Sequence, residues 1–152
     1  MATDGDQKAA NAAAPGPPRH VLLTGGNSGI GLQAAMRLLA AGHRLTVPCR
    51  DATSADRLGQ VLAPLAEKPL GGRLATPICD LGDLASVERC AADLLTTGEP
   101  IDSLVLNAGL QYSGASEPRW SVQGFELTVA VNHLAHQVLL QRLLPLSADI
   151  EY

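Results

Sequence analysis

Three glycines, Gly25, Gly29 and Gly31, follow directly on an apolar run in the stretch VLLTGGNSGIG, residues 21–31. A helical pattern starts at once behind them with Leu32, Ala35, Met36, Leu38 and Leu39, and it stops at Gly42. Strand, glycine turn and helix in this order let backbone N–H groups and a helix N-terminus meet a pyrophosphate. Glycine matters there because a Cβ would hold the anion off the backbone or strain the turn. The spacing G-x-x-x-G-x-G differs from G-x-G-x-x-G and from the phosphate loop G-x-x-x-x-G-K-[ST], and no Lys follows Gly31. That disfavours a phosphate-clamping nucleotidase. A plain glycine turn between a strand and a helix is the competing explanation for this stretch taken alone.

Further residues that can do chemistry recur where apolar runs end. The run RLTVPCR, 44–50, closes on Cys49-Arg50, where an NAD-preferring site would carry a carboxylate. A guanidinium suits a 2′-phosphate because it bonds bidentately and keeps its charge. The alternatives are a solvated arginine paired with Asp51 or Asp56, and an Asp51 that pulls selectivity back toward NAD. Asp80-Leu81 closes the next run with a carboxylate able to accept from an adenine amino group. Asn107-Ala108-Gly109 closes another, with small residues that admit a ligand to the backbone and an Asn that can bridge strand ends. Asp and Asn also start ordinary turns. Thr128, Asn132 and His136 make a polar stripe at i, i+4, i+8, which a solvent-facing helix side would also produce. His133 and His136 stand at i, i+3, yet no Cys, Asp or Glu lies close by in sequence, so a metal site is disfavoured.

The elements that must position these residues are legible in the periodicity. Strands are expected at 21–24, 44–50, 73–80 and 101–107, the second ending near Pro48 and the fourth buried on both faces. Helices are expected over 32–41, over 51–66 in short or broken form because of Gly59 and Pro64, from an Asp83 N-cap to Gly98, and from Ser121 to Leu144. Pro145 closes that last helix, and its core stripe is expected to be Leu127, Val131, Leu134 and Val138; residues 111–119 read as a polar loop. The alternation of strands with helices predicts an α/β fold, a Rossmann-type doubly wound parallel sheet in the order 3-2-1-4, stopping after strand 4 and its following helix. Residues 1–19 read as a disordered arm, 20–146 as the folded domain and 147–152 as a tail.

Composition bounds the rest. The chain has 152 residues, 46% apolar and 17% charged, which describes one globular domain. Only 3% are aromatic, so the core must come from Leu, Val, Ile and Ala. A net charge of −4 offers no electrostatic footprint for nucleic acid. Cys49, Cys79 and Cys90 form an odd set without C-x-x-C spacing and read as buried small hydrophobes in a reducing compartment. With no apolar span or leader pattern, the expected place is the cytoplasm.

Together these motifs resemble the short-chain dehydrogenase/reductase family. The segment 24–31 looks like its cofactor loop, which assigns Thr24, Gly25, Asn27, Ser28, Gly29, Ile30 and Gly31 to cofactor binding. The residues 49–50 resemble its NADP-type strand ending, 80–81 its adenine contact, and 107–109 and 131–136 its next two motifs in order. GFELTVAVNHLAH, 124–136, is most similar to the branch holding retinol-dehydrogenase-like and protochlorophyllide-reductase-like enzymes. The resemblance implies an oxidoreductase using NADP(H) in preference to NAD(H), acting between alcohols and carbonyls or on a double bond, with Asn132 as one catalytic residue. The family's Ser and its Tyr-x-x-x-Lys have no match: the lysines are Lys8 and Lys68, Tyr112 is followed by Ser116 four residues on, and Tyr152 is the last residue.

Two functional expectations therefore stand side by side: a reductase completed by residues outside this sequence, or an NADP(H)-binding or dimerising module without turnover. A small-molecule substrate is expected only with the first. The open strand 4 edge or the long helix is the expected place for a homo- or hetero-oligomeric contact, and marginal stability is expected of the chain alone.

Overall fold

A computed structural model describes residues 16–66, 72–112 and 117–144. Residues 1–15 of the expected arm, Lys68, Gly71, residues 113–116, the Pro145 helix stop and the tail 147–152 lie outside the described residues. The chain runs β1 (His20–Leu23), α1 (Gly29–Ala40), β2 (Arg44–Thr46), α2 (Ala52–Ala66), β3 (Leu74–Ala75), α3 (Leu84–Thr96) and β4 (Ser103–Val105). A final helical stretch, 127–143, consists of α4 (Leu127–Val129), a π turn (Ala130–Leu134) and α5 (Ala135–Leu143). The strands pair in parallel in the order β3-β2-β1-β4, as the alternation of elements requires.

β1 is buried along its whole length, and its alternating side chains decide the layering. Val21 and Leu23 pack with Ala35 and Leu39 of α1, Leu45 of β2, and Leu58 and Leu62 of α2. Leu22 points the other way, into a cluster with Val87, Cys90 and Ala91 of α3 and Ala135, Leu139 and Leu143 of α5. The sheet thus carries helices on both faces. Each fully buried Leu in these layers stabilises the fold by about 2 kcal/mol relative to exposure. All three cysteines are buried and none is in a disulfide.

Several local expectations are corrected. α2 is continuous despite Gly59 and Pro64. Asp51 accepts from the Ser54 N–H at 2.8 Å to start it, Ala55, Leu58 and Leu62 anchor it, and Pro64 falls in its last turn, where little helix remains to break. β2 ends at Thr46 ahead of Pro48, but pairing resumes at a Cys49–Ile78 bridge. Ile78 is half exposed, because β3 is an edge strand. β4 is also an edge and is not buried on both faces; Val105 is 39% exposed.

The last helix begins at Leu127 and not at Ser121. Gly124, with φ +80°, turns the chain, and Glu126 caps the helix by accepting from the Thr128 and Val129 N–H groups. Its core face also differs from the expected one. Val131 is buried, but after it come Ala135, Leu139 and Leu143, while Leu134 and Val138 are only partly buried. The reason is the π turn, in which the Ala135 N–H donates to the Ala130 carbonyl, five residues back. One extra residue in a turn shifts every later position on the face by one, so 134 and 138 give way to 135 and 139.

Candidate functional site

The C-terminal ends of β1, β2, β3 and β4 open onto a crevice where cavities of about 370 and 510 Å³ share Gly25, Asn27, Ala108, Leu110 and Val131. On the β1 side the wall is backbone. Gly25 has φ +68°, and a Cβ there would lie 2.8 Å from the Ala108 Cα. A Cβ on Gly31 would collide with the Gly25 carbonyl and sit 2.6 Å from Asn107 Nδ2. The glycines are therefore needed sterically. Gly29, φ +53°, has open space around it and supplies only the turn. Ser28 stands at the N-cap of α1 in extended conformation, yet its hydroxyl makes no capping bond. That leaves the first-turn N–H groups and the hydroxyl available to an anion. Ile30 is 85% exposed beside them.

A hydrogen-bond network ties this turn to the end of β4. Asn107 Nδ2 donates to the Thr24 carbonyl at 3.1 Å, bridging the strand ends as its type suggested. The Ala108 N–H donates to Thr24 Oγ1 at 3.0 Å. Thr24 Oγ1 also lies 3.0 Å from His136 Nε2, with both residues buried. The His136 ring also hydrogen-bonds the Asn132 backbone, so it is held from two sides. Burial outweighs that bond and holds the His136 pKa below its usual 6.5, which favours the neutral ring. His136 had been only one member of a polar stripe; the structure makes it the link between α5 and the β1–β4 junction.

Asn132 sits in the π turn, a distortion often found at functional sites. Its Oδ1 accepts from the Leu110 N–H at 2.8 Å and its Nδ2 donates to the Leu110 carbonyl at 3.0 Å. This pair ties the Leu110 backbone to the helix, and a Cβ on Gly109 would lie 3.6 Å from Asn132 Oδ1. Of the polar stripe, then, Asn132 and His136 serve the site.

At the β2 and β3 ends, Arg50 and Asp80 line the same cavity. Arg50 Nε donates to Asp51 Oδ2 at 3.2 Å, and its Nη groups have no partner among the described residues. Asp51 is occupied by that bond and by the Ser54 N–H, and the Ser54 bond is the main reason its carboxyl lies below its ordinary pKa. Asp80 Oδ1 accepts from the Gly82 N–H at 2.8 Å, while Oδ2 has no partner among the described residues. Leu81 forms part of the cavity lining.

Two aromatic residues also line this cavity, Tyr112 from the expected polar loop and Trp120 just after it. The Arg119 guanidinium lies 4.0 Å from the Tyr112 ring centroid. One signal was available: among only four aromatic residues in the sequence, Tyr112, Trp120 and Phe125 fall within one short segment.

Comparison with known proteins gives a consistent result. The family model for short chain dehydrogenase matches residues 19–149. A chloroplastic protochlorophyllide reductase of Chlamydomonas reinhardtii is 36% identical over 81% of this chain and 30% of its own length. Human retinol dehydrogenase 13 is 32% identical over 84% of this chain and 37% of its own length. The chain thus spans about a third of the length of the curated relatives it matches. Among solved structures, the NADP active-site complex of Pseudomonas aeruginosa RhlG superposes with a TM-score of 0.67 at 34% identity, over 84% of this chain and 47% of that one. No helix among the described residues is long and apolar enough to cross a membrane.

Proposed function

The chain belongs to the short-chain dehydrogenase family, and from that premise we propose that it forms the dinucleotide-binding part of an NADP(H)-dependent oxidoreductase. The reaction class is hydride exchange between an alcohol and a carbonyl, or reduction of a double bond. The observation that carries this reading is the crevice itself. One wall has no room for a Cβ at Gly31, and the far end presents the unpartnered Arg50 Nη groups and Asp80 Oδ2. When bound, the dinucleotide supplies or accepts the hydride.

In this reading the turn from Thr24 to Gly31 and the first turn of α1 hold the pyrophosphate. Asp80 accepts from the adenine amino group with Leu81 beside it, and Arg50 pairs with a 2′-phosphate. The caution posed by Asp51 weakens, because both of its oxygens already serve Ser54 and Arg50. Asn107, Ala108 and Gly109 border the ligand through their backbone, and Asn132 keeps that backbone in place through Leu110.

A second reading has its own support: binding without turnover. The sequence holds no Tyr-x-x-x-Lys, and an unperturbed tyrosine, with a pKa of about 10, is a poor proton donor at neutral pH without a cation beside it. Hydride exchange would require residues outside this sequence.

The test is calorimetric titration of the chain and of Arg50→Leu with NADPH and NADH. NADPH should bind more tightly, and the substitution should weaken NADPH about tenfold, roughly the 1.4 kcal/mol of a lost charge-assisted pair, while leaving NADH unchanged. Equal losses for both would remove the 2′-phosphate assignment. No binding of either would remove the reading.

A further inference from the structure

The aromatic residues of this protein are distributed the wrong way round for a core. Among the described residues no Phe, Tyr or Trp is buried: Tyr112, Trp120 and Phe125 are all exposed, Trp120 by 61%. An exposed Trp with neither a core nor a capping role calls for another explanation. Tyr112 and Trp120 line one cavity together with Asp80, Leu81 and Arg50.

The backbone that carries Trp120 is held in place, as is the Tyr112 ring. Leu127 N–H donates to the Arg119 carbonyl at 2.8 Å, and residues 120 and 126 pair antiparallel, which fixes the backbone on either side of the Trp120 ring. The Val122 N–H donates to the Gly82 carbonyl at 3.0 Å, and Gln123 bonds both the Leu84 N–H and the Asp83 carboxylate. The segment carrying Trp120 is therefore fastened to the turn carrying Asp80. Arg119, stacked on Tyr112, fixes the second ring.

Resting on the reading of this crevice as a dinucleotide site, we infer that Trp120 and Tyr112 form stacking walls for the adenine ring, with Arg119 as the residue that positions Tyr112. A purine entering between Asp80 and Leu81 places its amino group at the carboxylate and its π-face against aromatic surface. Base stacking on an aromatic side chain is strong and tolerant of base identity, so the carboxylate supplies the selectivity for an amino purine. The 2′-phosphate then falls toward Arg50. This divides the crevice into an aromatic adenosine half and a backbone-lined half.

Trp120 is the only tryptophan, so its emission reports on this wall directly. The intact chain is titrated with NADPH, with adenosine 2′,5′-bisphosphate and with nicotinamide mononucleotide, following Trp120 fluorescence and, by calorimetry, affinity. NADPH and the bisphosphate should quench the emission, and the mononucleotide should leave it unchanged. Trp120→Ala should weaken the bisphosphate about tenfold, while Trp120→Phe should retain affinity within about threefold. Arg119→Ala, which frees the Tyr112 ring without removing it, should give a smaller loss. Unaltered bisphosphate affinity in Trp120→Ala, or quenching by the mononucleotide alone, overturns the stacking assignment and leaves the dinucleotide reading standing. Failure of NADPH itself to bind overturns both.

Discussion

On the β1–α1 side of the crevice the surface offered to a ligand is main chain, shaped by Gly25 and Gly31. On the facing side it is side chain, that of Tyr112 and Trp120. The backbone wall leaves a mark in sequence because a position that excludes a Cβ admits only glycine. The side-chain wall leaves almost none. Many residues can stand in a loop, and Asn132 and His136 gain their meaning from what the fold brings opposite them. The two walls meet at Thr24, whose hydroxyl serves the β4 end and His136 together.

The sharpest way to break this contrast is at the backbone wall. Gly31→Ala should cost about 3 kcal/mol of stability, since the added methyl meets the Gly25 carbonyl and Asn107 together and backbone cannot step aside. The melting midpoint should fall by about 10 °C, and NADPH binding should be lost. A variant with wild-type melting and affinity would show that this wall does not depend on glycine.

Where the walls join, Thr24→Val keeps shape and removes the hydroxyl, leaving the Ala108 N–H and His136 Nε2 unsatisfied in a buried place. Denaturant unfolding should register a loss of about 1–3 kcal/mol. A loss below about 0.5 kcal/mol, the level of an ordinary surface substitution, would deny the junction its role.

The smallest effect concerns pH. His136 and His20 are both held below the usual pKa of 6.5, chiefly by burial. Below that pH the unfolded chain takes up protons that the folded chain refuses, so folding is penalised. Stability should be full above about pH 6.5 and decline toward pH 5, before carboxylates titrate. His136→Gln should flatten the decline. Stability that rises over this interval would contradict the neutral, doubly bonded imidazole.

Much of the fold was legible because hydrophobic period and punctuation agree. β1 with α1, Asp83 as the cap of α3, and the order β3-β2-β1-β4 all follow from local pattern and the handedness of crossovers. α2 was legible in kind but not in continuity, since Leu58 and Leu62 outweigh Pro64 through packing that no local rule contains. The candidate site divides in the same way. Gly25, Gly31, Arg50, Asp80 and Asn107 announced themselves as small or charged residues closing apolar runs. Trp120 and Tyr112 did not, because their shared cavity joins the β4 end to the β3–α3 turn.

The residue order alone determined which stretches alternate between strand and helix, which glycines a close approach requires, and which charged side chains stand at strand ends. These are properties of neighbours along the chain, set by sterics and period. Only the tertiary structure decided the face of the last helix, through one extra residue at Ala130–Leu134. It also brought the His136 ring against the Thr24 hydroxyl, 112 residues away in sequence. Both depend on partners distant in sequence, and hydrogen-bond satisfaction across such distances is settled only when the layers close.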